Sequence, residues 1–157
     1  MMSKWDVDLS EPTIGAFVKY ATAFEKSFVT RDWSDVDACL TDNAIWTVDG
    51  GKPPVAASYK GRGSVIEAIR YAVDHYDRRF TVRAPQSPGP TLIAGRGIYL
   101  PWQITFQQPG LPDFILTGEE WDLFEDGKLC MHFERIHNAD EIDAYIAQHD
   151  AQLVPLG

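Results

Sequence analysis

The chain has 157 residues, of which 45% are hydrophobic and 24% are charged, and this is the composition of one globular domain with a sizeable core. Its formal net charge of −9 argues against nucleic acids and anionic membrane surfaces as partners, because both are bound through basic patches. No apolar run approaches the ~20 residues of a membrane span, and the N-terminus lacks the apolar segment of a signal peptide, so a cytoplasmic location is expected.

The first part of the chain predicts helices followed by a strand. Residues 1–12 are polar and are expected to form an N-terminal arm, and apolar residues then recur at helical spacing from Ile14 to Phe28. The elements expected after that helix are a short helix at 33–40, a strand at 44–48, a turn at 49–54 and a short strand at 55–59.

The rest of the chain predicts one more helix and then strands. Ser64 and Glu67 form a capping-box pattern at the start of an apolar stripe that runs from Val65 to Tyr76. The expected strands are 79–84, 91–106, 114–125 and 129–137, with turns at 85–90, 108–112 and Asp126-Gly127 and a last short helix at 140–148.

Helices that lead into an antiparallel sheet are typical of the α+β class. We therefore predict a single domain over residues 1–157, with its core at about 13–137 and a short helix and tail at 138–157. In this domain a curved antiparallel sheet wraps around the N-terminal helices as a cone. The open end of the cone is expected to be a pocket.

Four short motifs support a more specific identification. They are TRDWSDV and CLTDNAIW between Phe24 and Trp46, KGRGSVIEAI at the start of the third helix, and FEDGKL in the last predicted hairpin. Together they resemble the nuclear transport factor 2-like superfamily, in its SnoaL-like (polyketide-cyclase-like) branch, over about 13–137. The resemblance implies a cone-shaped, cystatin-like α+β barrel with an apolar pocket, and homodimers packed through the sheet. It implies no single activity, because members include isomerases, cyclases, dehydratases, epoxide hydrolases and non-catalytic binding modules.

The chemistries of this superfamily fit the chain unevenly. The positions of the general base and the tyrosine of ketosteroid isomerases align with Val48 and Phe24, whereas the second carboxylic acid of that family aligns with Glu120. The Arg-x-Asp pair of the epoxide hydrolases occurs nowhere in the sequence. The run Gly-Lys-Leu ahead of His132 is similar to cyclases that carry a histidine in the last strand. Dehydratase members use two histidines, which His75 and His132 would supply.

The predicted hairpin at 113–137 holds the densest set of acid/base side chains. Because strand side chains alternate between the two faces of a sheet, these residues fall into two sets of which one can face the pocket. One set is Glu120, Asp122, His132 and Glu134, and the other is Glu119, Arg135 and His137. The sequence leaves the choice open, and an irregularity such as a β-bulge near Gly118 would shift the pattern.

The sequence therefore predicts a pocket for a small, mostly apolar carbonyl-containing or cyclic compound, with cofactor-free acid/base catalysis. Glu120 and His132 are the expected catalytic pair, since burial and mutual charge would tune both for proton transfer near neutral pH. The expected binding residues are Trp46, Tyr20, Phe24, Asp122, Glu134 and Arg135. No metal is expected, because no His/Cys/carboxylate spacing matches a metal site. The alternative is a non-catalytic ligand-binding or assembly module of the same fold.

Overall fold

The computed structural model describes residues 5–93 and 95–157, which fold into four α-helices and seven β-strands. In chain order these are α1 (Pro12–Thr30), α2 (Ser34–Ala38), β1 (Leu40–Asp49), β2 (Ser58–Lys60), α3 (Arg62–His75), β3 (Val82–Gln86), β4 (Thr91–Ile93), β5 (Gly97–Gln107), β6 (Phe114–Glu125), β7 (Lys128–Ile136) and α4 (Ala139–His149). Single turns of 3₁₀-helix follow α3 and α4. Within the described ranges, none of the helices is long and apolar enough to cross a membrane.

All seven strands belong to one curved, unclosed sheet. Its strand order is β2-β1-β7-β6-β5-β3, and β4 pairs with β5 outside this path. Neighbouring strands are antiparallel except for β1 and β7, which are parallel. Parallel pairing requires a long connection, and residues 50–127, which include β2 to β6 and α3, lie between these two strands. The predicted α+β cone is confirmed, with this one parallel pair as an addition.

Helix α1 fills the concave side of the sheet. It begins at Pro12, whose missing N–H costs nothing in a first turn, and the Glu11 carboxylate accepts a hydrogen bond from the Ile14 N–H at 2.7 Å. The apolar stripe of the helix is buried, and Phe17 meets Phe124 of β6 edge-on with ring centroids 6.5 Å apart. This packing holds α1 against the central strands.

The two clearest differences between the predicted elements and the structure concern 91–106 and the start of α3. Residues 91–106 form two strands, β4 and β5, in which Thr91 pairs with Tyr99, so the glycine-rich segment near Gly95 reverses the chain and does not merely bend a strand. Helix α3 begins at Arg62 without any side-chain cap, so Ser64 lies inside its first turn and the predicted capping box is absent.

The hairpin between β6 and β7 sets the register of the central sheet. Asp126 and Gly127 have φ values of 50° and 77°, which are typical of a two-residue type I′ turn, and the predicted turn is confirmed. The pairing shifts by one residue between Leu123 and Phe124, because Cys130 is an extra residue in β7. The pairing at Gly118, where the sequence allowed a bulge, is regular, and the irregularity lies at Cys130.

Gly118 allows the ring of Trp102 to lie flat on the sheet. The two residues are partners across β5 and β6, and a Cβ at Gly118 would overlap the Trp102 ring and lie 2.7 Å from the backbone oxygen of Arg135. That oxygen belongs to the β6–β7 pair and cannot move freely. The substitution therefore has no room on either side.

Replacing Gly118 with alanine is expected to lower the free energy of unfolding by about 1–3 kcal/mol, the usual cost of overpacking. Urea denaturation measures this change. Gly63→Ala is the matched control, because nothing lies within 4 Å of a Cβ at this position in α3 and alanine favours a helix. A Gly118→Ala protein as stable as the wild type would contradict the assigned packing.

Candidate functional site

A cavity with two adjoining lobes lies between α1 and the concave face of the sheet. The first lobe has a volume of about 130 Å³ and borders the middle of α1, and the second has a volume of about 140 Å³ and extends towards α3 and α4. Both lobes have mostly aromatic and aliphatic walls. Six residues border both lobes and form what we call the waist: Phe24, Trp46, Arg83, Trp102, Ile104 and Glu134.

The structure places the first of the two predicted sets on the concave face. Glu120, His132 and Glu134 line the first lobe, and Asp122 is fully buried behind them. In a regular strand Leu129 and His132, which are three residues apart, would face opposite sides of the sheet. The extra residue Cys130 allows both of them to face inward.

The second set lies on the convex face of the sheet. Arg135 is half exposed and forms an ion pair with Asp49 at 3.0 Å, and Glu119 accepts a hydrogen bond from Tyr99 at 2.7 Å. The His137 Nε2 lies 3.6 Å from the same Glu119 carboxylate. The prediction that Arg135 binds a ligand in the pocket is therefore wrong, because it lies on the opposite side of the sheet.

His132 is held on every side by partners that the strand register supplies. Asp122 is its partner across β6 and β7, and the Nδ1 of His132 lies 2.6 Å from the Asp122 Oδ1. Its Nε2 lies 3.3 Å from the Glu134 Oε2, and the Glu120 Oε2 lies 3.6 Å from Nδ1. Trp46 is its partner on the parallel strand β1, and the two rings stack with centroids 3.7 Å apart. The imidazole is thus fixed in position and orientation at the cavity wall.

Burial and mutual charge shift the pKa values of this cluster in one direction. Burial raises the pKa of Glu120 well above its ordinary value, and the charge of Asp122 raises it further. Burial also raises the pKa of Asp122, which the charge and hydrogen bond of His132 only partly offset. Burial alone would lower the pKa of His132, but the charge and hydrogen bond of Asp122, the hydrogen bond of Glu134 and the charge of Glu120 raise it well above its ordinary value. The cluster therefore retains protons at a pH where isolated side chains have lost them.

Tyr20, Phe24 and Trp46 all border the first lobe, where the sequence placed them. Burial raises the pKa of Tyr20 well above its ordinary value, and the charges of Asp122 and Glu120 add to the effect. Its hydroxyl is thus a hydrogen-bond donor near the carboxylates. His75 borders neither lobe, because it stacks on Tyr71 at the exposed end of α3, so the dehydratase-like histidine pair is not formed.

A second polar cluster escaped the sequence interpretation. Arg83 of β3 donates from Nε to Asp77 and from Nη1 to Glu25 of α1 at 3.0 Å, and its guanidinium lies over the Phe28 ring at 4.8 Å. The three charged residues come from three separate elements without any shared spacing. An arginine alternating with apolar residues in β3 was the one available signal, and it is a weak one.

Glu120, Asp122 and His132 are also possible metal ligands, and their ligand atoms lie within 4.8 Å of one another. Two ligand atoms on one tetrahedral zinc ion lie about 3.3 Å apart when the bonds are ~2.0 Å long. The 2.6 Å between the His132 Nδ1 and the Asp122 Oδ1 is a hydrogen-bond distance and leaves no room for both atoms on one ion. The geometry fits a hydrogen-bonded acid/base cluster better than a preformed metal site.

Comparisons with known proteins identify relatives of the fold and no close relative in sequence. No protein-family model and no curated protein matches the chain. A solved "putative isomerase" from Rhodopseudomonas palustris is similar at a TM-score of 0.63 and 12% identity, covering 83% of this chain and 96% of its own. An NTF2-like protein of unknown function from Burkholderia pseudomallei is similar at a TM-score of 0.65 and 18% identity, and the match covers 84% of this chain and 95% of that protein. TerC, co-crystallised with polyporic acid, is similar at a TM-score of 0.62 and 12% identity, and the match covers 88% of this chain and 96% of TerC. Identities this low show a shared fold alone.

Proposed function

We propose that this chain, whose fold is nuclear transport factor 2-like, binds a small, mostly apolar carbonyl compound and transfers a proton on it without a cofactor. The observation that carries the proposal is the buried imidazole of His132, held between Asp122 and Glu134 beside an apolar cavity. Perturbed acid/base groups at a cavity wall are typical of catalytic sites. The fold neighbours, which include the "putative isomerase" and the complex with polyporic acid, support this class of function by analogy.

The chemistry that fits the geometry is proton transfer at the carbon next to a carbonyl group. In its ionised form Glu120 removes a proton from that carbon, and the electron pair of the broken C–H bond moves to the carbonyl oxygen as an enolate. The imidazolium of His132 lies beside Glu120 and stabilises the negative charge at the site. When the ketone also carries a neighbouring C=C bond, the enolate is conjugated with it, and return of the same proton to the far carbon shifts the double bond and gives an isomer, so no co-reactant is required. A raised pKa makes Glu120 a stronger base than an exposed carboxylate.

Hydrogen–deuterium exchange tests this proposal without knowledge of the substrate. A panel of cyclic ketones is incubated with the protein in D₂O, and NMR follows exchange at the carbons next to the carbonyl. We expect the wild-type protein to accelerate exchange for members that fit the cavity, and Glu120→Gln to lose at least about 100-fold of the acceleration.

The matched control is Glu119→Gln, because Glu119 directly precedes Glu120 in β6 and faces the convex side of the sheet. It is expected to keep the wild-type rate. Ketone binding without any acceleration of exchange would favour the alternative, a non-catalytic ligand-binding module. Equal losses in both variants would contradict the assignment of Glu120.

We also propose that the convex face of the sheet pairs with a second copy of the chain. Trp121 lies between Tyr99 and Phe133 on this face, with ring centroids 5.4 and 5.5 Å away, and Ile115 and Met131 on the same face are 49% and 38% exposed. Apolar faces of this kind are typical of protein interfaces. Sedimentation equilibrium checks the proposal, and a mass equal to the 17.6 kDa of one chain would contradict it.

A further inference from the structure

We propose that the Nη2 of Arg83 donates a hydrogen bond to an uncharged oxygen of the ligand at the waist of the cavity. The ligand would then be a neutral oxygenated compound that reaches from the His132 lobe into the second lobe. This inference rests on the proposed ligand class and adds which residue holds the oxygen and which charge the ligand carries.

The hydrogen bonds of Arg83 leave one nitrogen free. Nε binds Asp77, and Nη1 lies 3.0 and 3.2 Å from the two carboxylate oxygens of Glu25. Nη2 forms no hydrogen bond with any residue in the described part of the chain. Since it is also absent from the fully buried atoms that lack a partner, part of its surface is accessible. Since Arg83 borders both lobes, the cavity is where this nitrogen remains accessible.

The guanidinium is fixed before any ligand binds. It is planar, two of its nitrogens are tied to carboxylates on different elements, and it lies over the rings of Phe28 at 4.8 Å and Phe24 at 5.9 Å. Its side chain is 9% exposed. A donor held in this way pays little conformational entropy when it binds an oxygen, which is typical of a recognition group.

Charge at the waist selects against anionic ligands. Two carboxylates already surround the single positive charge of Arg83, and Glu134 borders the same waist. A ligand carboxylate would bring a further negative charge into this surrounding, and like charges in a poorly solvated site repel strongly. A ketone or hydroxyl oxygen accepts the Nη2 hydrogen bond without that cost.

The second lobe supplies room for an apolar part of the ligand beyond the oxygen. Its wall includes Val48 of β1, Ile69 and Val73 of α3, and Ile142 of α4, all of which are buried. A ring or chain in this lobe would be buried by aliphatic side chains, which favours binding by the hydrophobic effect. The oxygen at the waist would then fix how far the ligand enters.

Three bicyclic probes test the proposal: α-tetralone, which has a ketone; tetralin, which lacks the oxygen; and a tetralin carboxylate, which is anionic. Ligand-observed NMR gives their affinities for the wild type and for Arg83→Lys, which keeps the charge but has only one compact ammonium group. We expect the wild type to bind the ketone at least about tenfold more tightly than tetralin or the carboxylate, as one charged hydrogen bond allows. In Arg83→Lys the preference for the ketone over tetralin should fall to near unity, whereas the preference over the carboxylate should remain, because Glu25, Asp77 and Glu134 are unchanged.

Arg78→Lys is the matched control, because Arg78 also lies over the Phe28 ring, at 4.7 Å, but borders neither lobe. It should keep the preference. Because these affinities are measured without any proton transfer, a failure of the proposed catalysis is distinguishable from a failure here. If Arg83→Lys does not fold, the uncharged triple variant Glu25→Gln, Asp77→Asn, Arg83→Met replaces it, since it leaves no buried charge unpaired. A wild type without preference for the ketone, or a preference for the ketone over tetralin that survives removal of the guanidinium, would overturn the inference.

Discussion

Replacing His132 with asparagine is expected to abolish catalysed ketone exchange and to lower the free energy of unfolding by about 3–5 kcal/mol. The imidazole is the partner of a fully buried carboxylate, Asp122, at 2.6 Å. The asparagine amide can occupy the position of Nδ1, but it carries no positive charge, does not reach Glu134 as Nε2 does, and leaves Trp46 without its stacked ring. Urea denaturation measures the stability, and NMR in D₂O measures the exchange.

Two control variants separate the assigned cause from a general effect of losing a histidine. His75→Asn removes a partly exposed ring that stacks on Tyr71 at the end of α3, and it should change the free energy of unfolding by less than about 0.5 kcal/mol. The double variant Asp122→Asn, His132→Asn removes both partners and should be more stable than His132→Asn alone. A double variant whose loss equals the sum of the two single losses would show that the buried pair is not coupled.

The stability of the protein is expected to decrease as the pH rises from about 6 to about 8. The pKa of His132 is raised well above 6.5 in the folded state, so its contribution is complete below the unfolded pKa and is lost as the pH rises through the folded pKa. The pKa of Glu120 is also raised well above 4.5, so the folded state keeps this proton after the unfolded state has released it. Both pKa shifts therefore lower the free energy of unfolding as the pH rises.

The slope follows from proton linkage and identifies the responsible residues. For each proton that the folded state retains and the unfolded state has released, the free energy of unfolding falls by about 1.4 kcal/mol per pH unit. Urea denaturation across this pH range should show a shallower decrease in Glu120→Gln and in His132→Asn than in the wild type. Stability that rises with pH, or a slope unchanged in both variants, would contradict the described charge state of the cluster.

Much of this fold follows from local sequence patterns. The apolar stripe that starts at Ile14 predicts α1, and the Asp126-Gly127 pair predicts the β6–β7 turn, because each signal depends on neighbouring residues only. The division of 91–106 into two strands was missed, since an alternating pattern on both sides of Gly95 does not distinguish a bend from a reversal. The extent of the first strand was also underestimated, because Leu40 pairs with Leu129 from a distant part of the chain.

The sequence predicted most of the residues that form the candidate site, but it did not predict how they are arranged. Glu120 and His132 stood out as acid/base groups in a hairpin, yet the face that they occupy depends on the extra residue at Cys130, which no local pattern reveals. The stacking of Trp46 on His132 depends on parallel pairing between the first and last strands. Arg83 was overlooked because its partners come from α1 and from the turn after α3.

An NMR titration of the imidazole of His132 tests the central claim most directly. The ¹⁵N chemical shifts of its ring nitrogens, assigned by comparison with His132→Asn, distinguish imidazolium from imidazole at each pH. We expect His132 to remain an imidazolium well above the ordinary histidine pKa of ~6.5, because Asp122 and Glu134 hold its proton. A His132 that titrates at or below the ordinary pKa of ~6.5 would contradict the account of this cluster as a buried, proton-retaining acid/base centre.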